Sequence, residues 1–268
     1  MYLQRITLSV KNLMKTACRI DVLHLKLISP DQFKMIVEID KLVGENHTSL
    51  INYLNVHGYN LACEEPKFCN ILNSSDIVFC DGFGIKIGAW LLGKKIGPRM
   101  TPPDWIDELF ELCEGRGYSL YFLGDTKEVV LSFAETVKRK YPDLKIVGFH
   151  DGFFTKDREL SLQVMEEVRR LEPDIILTGM GMPLQEKWAW EAKQHLNKGV
   201  IIATGALFRW YSGYERRAPR WITDCGLEWA TRLVKSPVKH FRRYVIGLPL
   251  FFFRIFRQRF GGKQINSN

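Results

Sequence analysis

Apolar runs and amphipathic stretches alternate along the middle of the chain, from about Asp76 to Gly205. The apolar runs end in glycine or aspartate and read DIVFCDG, SLYFLGD, KIVGFHDG, DIILTGMG and VIIATGA. Stretches of helical length lie between them, at 105–116, 127–141, 158–171 and 184–196. Strands that alternate with helices predict a parallel sheet covered on both faces, and continuously apolar strands fit that burial. The pattern therefore predicts an α/β fold.

The same pattern extends towards the start of the chain. CRIDVLHLKL and SLINYLNV predict two more strands, with a helix at 30–42 between them and another helix at 60–73. Residues 1–17 fit either a strand or a loose arm.

The character of the chain changes after about Tyr214. A helix is predicted at 226–235, followed by a break at Pro237 and a second basic helix. The stretch 244–253 carries no charge, and it is shorter than the roughly 20 residues that span a bilayer. It suits an element lying in the membrane interface, or else a helix packed on its own domain. We therefore divide the chain into a core, 1–213, and a basic amphipathic appendage, 214–268.

The distribution of charge supports this division. The formal net charge is +8, and residues 214–263 contain 12 Lys or Arg but only three acidic residues. A basic tail binds anions, which are nucleic acid, anionic lipid or a phosphorylated substrate. The uncharged aromatic run favours lipid, so we predict contact with an anionic membrane surface and no binding of nucleic acid.

Asp81 is the first candidate for chemistry. Open parallel sheets bind ligands beyond the carboxyl ends of their strands, and Asp81 follows a predicted strand directly. A carboxylate there is well placed as a general base, and the alternative is an aspartate that caps the next helix. Gly82, Gly84 and Gly88 form a weak G-x-G-x-x-x-G pattern, which leaves a dinucleotide-dependent oxidoreductase open.

Two more groups of residues fall near predicted strand ends. Arg99 follows a Gly-Pro turn and suits a diphosphate, with a lone surface arginine as the alternative. Gly181 follows a strand, and Gln185 and Glu186 open a helix whose first N–H groups suit a phosphate or ribose. A plain strand-to-helix turn is the alternative there.

Several familiar motifs are absent from the sequence. There is no D-x-D pair, which would suit Mg²⁺ or Mn²⁺, and no G-x-x-x-x-G-K-[ST] or G-x-S-x-G motif. We therefore expect no metal and no cofactor, with arginines and helix dipoles neutralising a leaving diphosphate.

Five longer stretches resemble the WecG/TagA/CpsF family, family 26 of the glycosyltransferases. They are LNVHGYNLA, SDIVFCDGFGIKIGAWLLGKKIGPR, DGFF, PDIILTGMGMPLQEKW and RRAPRW…GLEWATRLVKSPVKHFRRY, in the family's order and over roughly 20–244. The resemblance implies a Rossmann-like parallel sheet sandwiched by helices and an inverting transfer from a UDP-sugar. It also implies an acceptor sugar on undecaprenyl diphosphate and an appendage that helps to complete the site at the membrane.

The resemblance also implies roles for single residues. Asp81 matches the catalytic base. The residues assigned to substrate binding are Asn55, Tyr53, Arg99, Asp104, Gln185, Glu186 and Gly181. The basic positions expected to meet the lipid diphosphate are Arg217, Arg220 and Arg232.

The chain departs from the family pattern at three places. Tyr53 stands where a threonine is frequent, Pro102-Pro103 precede Asp104 where Gly-Ser/Thr is usual, and Arg209 replaces a common aspartate. These differences bear on the identity of the sugar more than on the type of reaction.

The expected protein is therefore a peripheral glycosyltransferase at the cytoplasmic face of the plasma membrane, working in cell-surface polysaccharide or teichoic acid synthesis. UDP-N-acetylmannosamine and UDP-glucose are the expected types of donor, and homo-oligomerisation stays open. The alternatives are the oxidoreductase and a non-catalytic membrane-surface adaptor.

Overall fold

The computed structural model describes residues 32–94 and 96–261. Six parallel strands form one sheet in the order β2-β1-β6-β5-β3-β4. The strands are β1 Thr48–Leu54, β2 Ile77–Cys80, β3 Ser119–Gly124, β4 Lys145–His150, β5 Ile175–Gly179 and β6 Gly199–Ala203. The predicted α/β fold with a parallel sheet is confirmed, and the predicted strand at 18–27 lies outside the described residues.

Helices cover the sheet on both faces. They are α1 Gln32–Val43, α2 Val56–Glu64, α3 Pro66–Asn73, α4 Phe83–Leu91, α5 Ile106–Arg116, α6 Lys127–Lys140, α7 Arg158–Leu171, α8 Leu184–Ala192 and α9 Leu207–Tyr211. The C-terminal helices are α10 Arg220–Asp224, α11 Glu228–Lys235, α12 Pro237–Phe241 and α13 Gly247–Gly261, with a π-helical turn Arg242–Ile246 before the last. Short 3₁₀ turns occupy Pro102–Asp104 and Phe153–Lys156.

Two predicted helices are wrong in their bounds. The stretch 60–73 holds two helices, because Pro66 lacks an N–H and occupies the first turn of α3. The first of the two helices starts earlier than expected, at Val56, since the Asn55 side chain accepts from Gly58 N–H and caps α2. The helix predicted at 184–196 also ends early, at Ala192.

Most of the core lies against the two faces of the sheet. Large aromatic side chains fill the layer under α5, α6 and α9, where the rings of Phe133 and Phe208 stack with centroids 4.4 Å apart. Helices α7 and α8 bury the other face against Tyr121 and Ile176. Burying one such side chain stabilises the fold by about 1.5–3 kcal/mol. The edge strand β4 differs, since its residues alternate between exposed and half-buried.

The last helix packs on the core beside β1 and β2. Phe251 and Ile255 of α13 are buried with residues of α2 and α4. A Cβ at Gly88 of α4 would lie 2.5 Å from the Phe251 ring, so glycine permits this close approach. The opposite side of α13 exposes Phe253, Phe256 and Phe260. Among the described residues, no helix combines the length and the apolar character needed to cross a membrane.

Candidate active site

A cavity of about 760 Å³ lies at the carboxyl ends of the central strands. The residues that follow β1, β2, β5 and β6 contribute Asn55, Asp81, Gly181 and Gly205 to its wall. Residues of the C-terminal segment, defined here as 214–261, cover the other side and include Glu228, Arg232, Arg243 and Tyr244. The position is the one that open parallel sheets use for ligands.

Asp81 and Asn55 form a pair at the floor of this cavity. The Asn55 Oδ1 atom accepts from Gly58 N–H at 2.9 Å, which turns its Nδ2 towards Asp81 Oδ2 at 3.3 Å. Asp81 does not cap α4, because Gly82 holds the capping position and the cap has no side-chain hydrogen bond. The carboxylate is therefore available to the cavity.

Burial raises the pKa of Asp81 above its ordinary value. The nearby Glu228 carboxylate raises it further, whereas the charge of Arg232, the hydrogen bond from Asn55 and the charge of Arg243 act in the opposite direction. A carboxyl group whose pKa lies above the usual range is a stronger base once ionised.

Gln185 and Glu186 lie beneath the cavity and are not among the residues that line it. The Gln185 Oε1 atom accepts from Gly181 N–H at 3.1 Å and from Gly205 N–H at 3.3 Å. Its Nε2 donates to Tyr53 Oη at 3.2 Å and to Glu186 Oε1 at 2.8 Å. One buried amide thus holds two cavity loops and the Tyr53 hydroxyl in fixed positions.

Glu186 completes this network as a buried carboxyl group. Its Oε2 atom has no hydrogen-bond partner among the described residues. Burial raises the pKa of Glu186 to about 7, even though hydrogen bonds from Gln185 and from its own backbone, and the charge of Lys187, lower it. Burial likewise raises the pKa of Tyr53, helped by the charges of Glu186 and Asp81.

Guanidinium groups occupy the walls of the cavity. The Arg99 guanidinium lies 5.7 Å from the centre of the Phe83 ring, and Arg232 lies 4.5 Å from that of Trp210. Arg232 also donates to Glu228 Oε1 at 2.6 Å. Arg209 is another lining residue and is paired with Asp125 Oδ1 at 2.6 Å. These charges suit the phosphates of a nucleotide or of a lipid diphosphate.

Asp104, assigned to substrate binding, and Arg217, assigned to the lipid diphosphate, lie behind this wall. Arg217 donates to Asp104 Oδ1 and to Thr101 Oγ1, each at 2.7 Å, and neither Arg217 nor Asp104 lines the cavity. Burial would raise the pKa of Asp104, but hydrogen bonds from Arg217 and Thr101 and the charges of Arg217 and Arg99 lower it overall. Arg220 begins α10, and its side chain lies outside what the structure describes.

Some lining residues were missed by reasoning from sequence. They are His57, Glu228, Arg243 and Tyr244. Burial lowers the pKa of His57 to about 4, with help from the charges of Arg243 and Arg242, so its imidazole is neutral at pH 7. The sequence signal for His57 was its position two residues after Asn55. Arg243 faces the cavity because of the π-helical turn that contains it, and such turns are often found at functional sites.

Of the three glycines after Asp81, Gly82 has a φ of +104°, and Gly84 and Gly88 serve packing. A Cβ at Gly84 would collide with the Val56 side chain, and Gly88 admits Phe251. The weak dinucleotide pattern therefore has a structural explanation in the approach of neighbouring helices. The described residues hold no group of three His, Cys, Asp or Glu side chains arranged for a metal ion.

Comparison with known proteins adds to this geometry. The model of the glycosyl transferase WecG/TagA/CpsF family matches residues 20–265. The chain belongs to this family. It is therefore a glycosyltransferase, which contradicts the oxidoreductase and the non-catalytic adaptor.

Three curated relatives carry the same name. The chain is 28% identical over 211 residues, 73% of its length and 81% of the relative's, to an N-acetylglucosaminyldiphosphoundecaprenol N-acetyl-beta-D-mannosaminyltransferase of Bacillus subtilis strain 168. It is 27% identical over 190 residues to the enzyme of the same name from Bacillus spizizenii, covering 71% of this chain and 72% of the relative. The Staphylococcus aureus MW2 enzyme is 22% identical over 239 residues, with 88% and 92% covered.

Proposed function

We propose that this glycosyltransferase moves a sugar from a UDP donor onto a sugar carried by undecaprenyl diphosphate, with inversion at the anomeric carbon. The relatives are named for transfer of N-acetylmannosamine to an N-acetylglucosaminyl-diphosphoundecaprenol. UDP-N-acetylmannosamine is therefore the first donor to test, and UDP-glucose is the second. The observation that carries the proposal is a half-buried carboxylate, Asp81, facing a cavity walled by guanidinium groups.

In the proposed reaction, Asp81 is the general base. Its carboxylate takes the proton from the acceptor hydroxyl while that oxygen attacks the anomeric carbon. The bond from this carbon to the UDP oxygen breaks at the same time, and its electron pair leaves with UDP. Asn55 holds Asp81 Oδ2 in place, which fixes the direction in which the base points.

The arginines would stabilise the diphosphates. Arg99 and Arg232 line the cavity, so the guanidinium of either residue can contact a bound phosphate directly. Charge that develops on the leaving diphosphate is stabilised by such fixed cations, most strongly where water is excluded. We assign Arg243 to the same group, and Arg220 remains a proposed contact of the lipid diphosphate.

The remaining assigned residues would shape the donor side of the cavity. Gly181 lines it directly. Its φ is +80°, and a Cβ at this position would meet no atom within 4 Å. Tyr53, Gln185 and Glu186 act through the buried network that positions this loop. Tyr53 is bulkier than the threonine that is frequent at this position in the family, and its hydroxyl lies beside Gly205. The larger side chain changes the shape of the cavity there, which supports a role for Tyr53 in the choice of sugar.

We further propose peripheral attachment to the cytoplasmic face of the plasma membrane. The C-terminal segment exposes Trp221, Val238, Phe253 and Phe260 beside its arginines. Aromatic side chains inserted at the interface and arginines at lipid phosphates are the usual elements of such attachment.

The test is release of UDP from a panel of UDP-sugars, with and without a polyprenyl-diphosphate-linked acceptor. Wild type is compared with Asp81→Asn and with a control, Asp157→Asn, whose side chain caps helix α7 and does not line the cavity. Loss of the base should lower turnover by about 10²–10⁴-fold, whereas the control should stay near wild type. Turnover retained in Asp81→Asn would remove Asp81 from the mechanism, and release without acceptor dependence would contradict the transfer.

A further inference from the structure

Both terminal nitrogens of the Arg217 guanidinium donate hydrogen bonds to the core. Nη1 donates to Asp104 Oδ1 and Nη2 to Thr101 Oγ1, both at 2.7 Å. Its guanidinium carbon lies 5.6 Å from the centre of the Trp210 ring, and Glu228 Oε2 is 3.8 Å from Nη2. A bidentate arginine of this kind fixes geometry as well as charge. Arg217 therefore attaches the C-terminal segment to the core at one defined place.

Asp104 lies between this attachment and the cavity. Its Oδ1 accepts from Arg217, and its Oδ2 accepts from Thr101 Oγ1 at 2.7 Å and lies 3.5 Å from Arg99 Nη2. Arg99 and Thr101 line the cavity, and Arg99 is the one that brings a charge to it. The same carboxylate thus contacts one arginine of the C-terminal segment and one arginine of the site.

The turn that carries Asp104 is rigid. Pro102 and Pro103 occupy its first positions, where their fixed φ favours the 3₁₀ turn, and Thr101 and Asp104 cap each other's backbone N–H. The Met100 N–H, just before this turn, donates to the carbonyl oxygen of Cys80 at 2.9 Å, and Cys80 directly precedes Asp81. We therefore expect a displacement of Asp104 to be transmitted to Arg99 and not absorbed by the loop.

We propose that Asp104 is a positioning residue that couples docking of the C-terminal segment, through Arg217, to placement of the Arg99 guanidinium in the cavity. The leaving diphosphate would then meet a correctly placed Arg99 only when the segment is docked. The coupling is a property of the fold, and only its effect on turnover rests on the proposed function.

Hydrogen exchange measured by mass spectrometry tests the coupling without any substrate. Wild type is compared with Arg217→Gln, Asp104→Asn and Arg254→Gln. Arg254 anchors α13 to Asn60 and Glu64, away from Asp104, so its substitution loosens the segment without touching the proposed link. We expect Arg217→Gln and Asp104→Asn to speed exchange in peptides over 96–105 about tenfold, and Arg254→Gln to affect only 247–261.

Steady-state kinetics of the same variants and of the Arg217→Gln/Asp104→Asn double variant provide the second measurement. Loss of either partner should lower kcat about tenfold with little change in the donor KM, because Arg99 is misplaced for the leaving diphosphate. The double variant should be no slower than the slower single variant, since both remove one link.

Each outcome decides the question. If Arg217→Gln and Arg254→Gln speed hydrogen exchange over 96–105 equally relative to wild type, any loosening of the C-terminal segment disturbs the site. Asp104 would then not be the residue that couples the two regions. Unchanged exchange over 96–105 in Arg217→Gln, or additive losses of kcat, would overturn the coupling as well. If wild type releases no UDP with any donor, the proposed function fails, while the exchange result still decides the coupling.

Discussion

The floor and the roof of the cavity are held by different kinds of contact. The floor consists of the strand ends, and it rests on Gln185 and Glu186, which are both 0% exposed. The roof is α11 with the turn that follows α12, and α11 has no buried residue. Its charges are paired near the surface, as in Arg232 with Glu228. The floor is therefore set when the core folds, whereas the roof is attached to it and can loosen separately.

This difference assigns separate tasks to the two regions. Buried hydrogen bonds keep their strength in salt, so Asp81 and the loops of Gly181 and Gly205 keep one geometry under most conditions. Partly exposed ion pairs are weaker and are screened by salt, so the roof is suited to adjust when the proposed lipid-linked acceptor enters. Substitutions in the floor should unfold the core, and substitutions under the roof should loosen only the C-terminal segment.

The largest effect is expected for Gln185→Leu. Leucine would leave the N–H groups of Gly181 and Gly205 without their acceptor and the Tyr53 hydroxyl without its donor. Each unsatisfied buried group costs about 1–3 kcal/mol, so the free energy of unfolding should fall by about 3–5 kcal/mol. Urea denaturation followed by circular dichroism measures this. The matched control is Gln194→Leu, at an exposed position, which should change stability by less than about 1 kcal/mol.

Glu186 gives the second largest effect, through pH. Its pKa is raised from 4.5 to about 7 by burial, so the folded state holds a proton that the unfolded state has lost between these values. The stability contributed by the protonated form is present below about pH 4.5 and is lost as pH rises through about 7, by about 3 kcal/mol in all. Asp81, whose pKa is also raised, acts in the same direction.

Glu186→Gln should flatten this part of the stability profile. The amide cannot ionise, so the difference in unfolding free energy between the variant and wild type should grow from pH 5 to pH 8. The control Glu191→Gln, at an exposed position of the same helix, should keep the slope of wild type. A Glu186→Gln profile parallel to that of wild type would mean that the carboxyl group does not titrate in this range.

Reasoning from sequence succeeded where local pattern decides the structure. The helix at 158–171 matches α7 because its apolar spacing and the capping Asp157 act within the helix itself. Asp81 was found because a strand end fixes its place in a parallel sheet. The helix predicted at 60–73 took no account of Pro66, whose missing N–H separates two helices there.

The roof could not be predicted in the same way. The direction of Arg243 depends on a π-helical turn, whose extra residue rotates the side chains relative to an α-helix. Gln185 was recognised as important, yet its burial under the loops depends on β1, β5 and β6 meeting at one place. Contacts of this kind arise from tertiary packing and leave no periodic signal in the chain.

The smallest effect, and the sharpest test of a separable roof, comes from Gly88→Ala. The added methyl would lie 2.5 Å from the Phe251 ring, so α13 has to shift away from α4. Overpacking of this kind costs about 1–3 kcal/mol, and the cost should fall on the attachment of the segment. Limited proteolysis should then cut within 214–261 faster by about tenfold, while the urea midpoint of the core stays near that of wild type.

Gly115→Ala is the matched control, since it makes the same change in α5 where a Cβ meets no atom within 4 Å. It should slow or leave unchanged the cleavage of 214–261 and raise core stability slightly, as alanine does in a helix. A fall in the core's urea midpoint in Gly88→Ala, with cleavage of the segment unchanged, would show that roof and floor unfold together. The separation of the two regions would then be lost, and with it the reason for a link such as Asp104 between them.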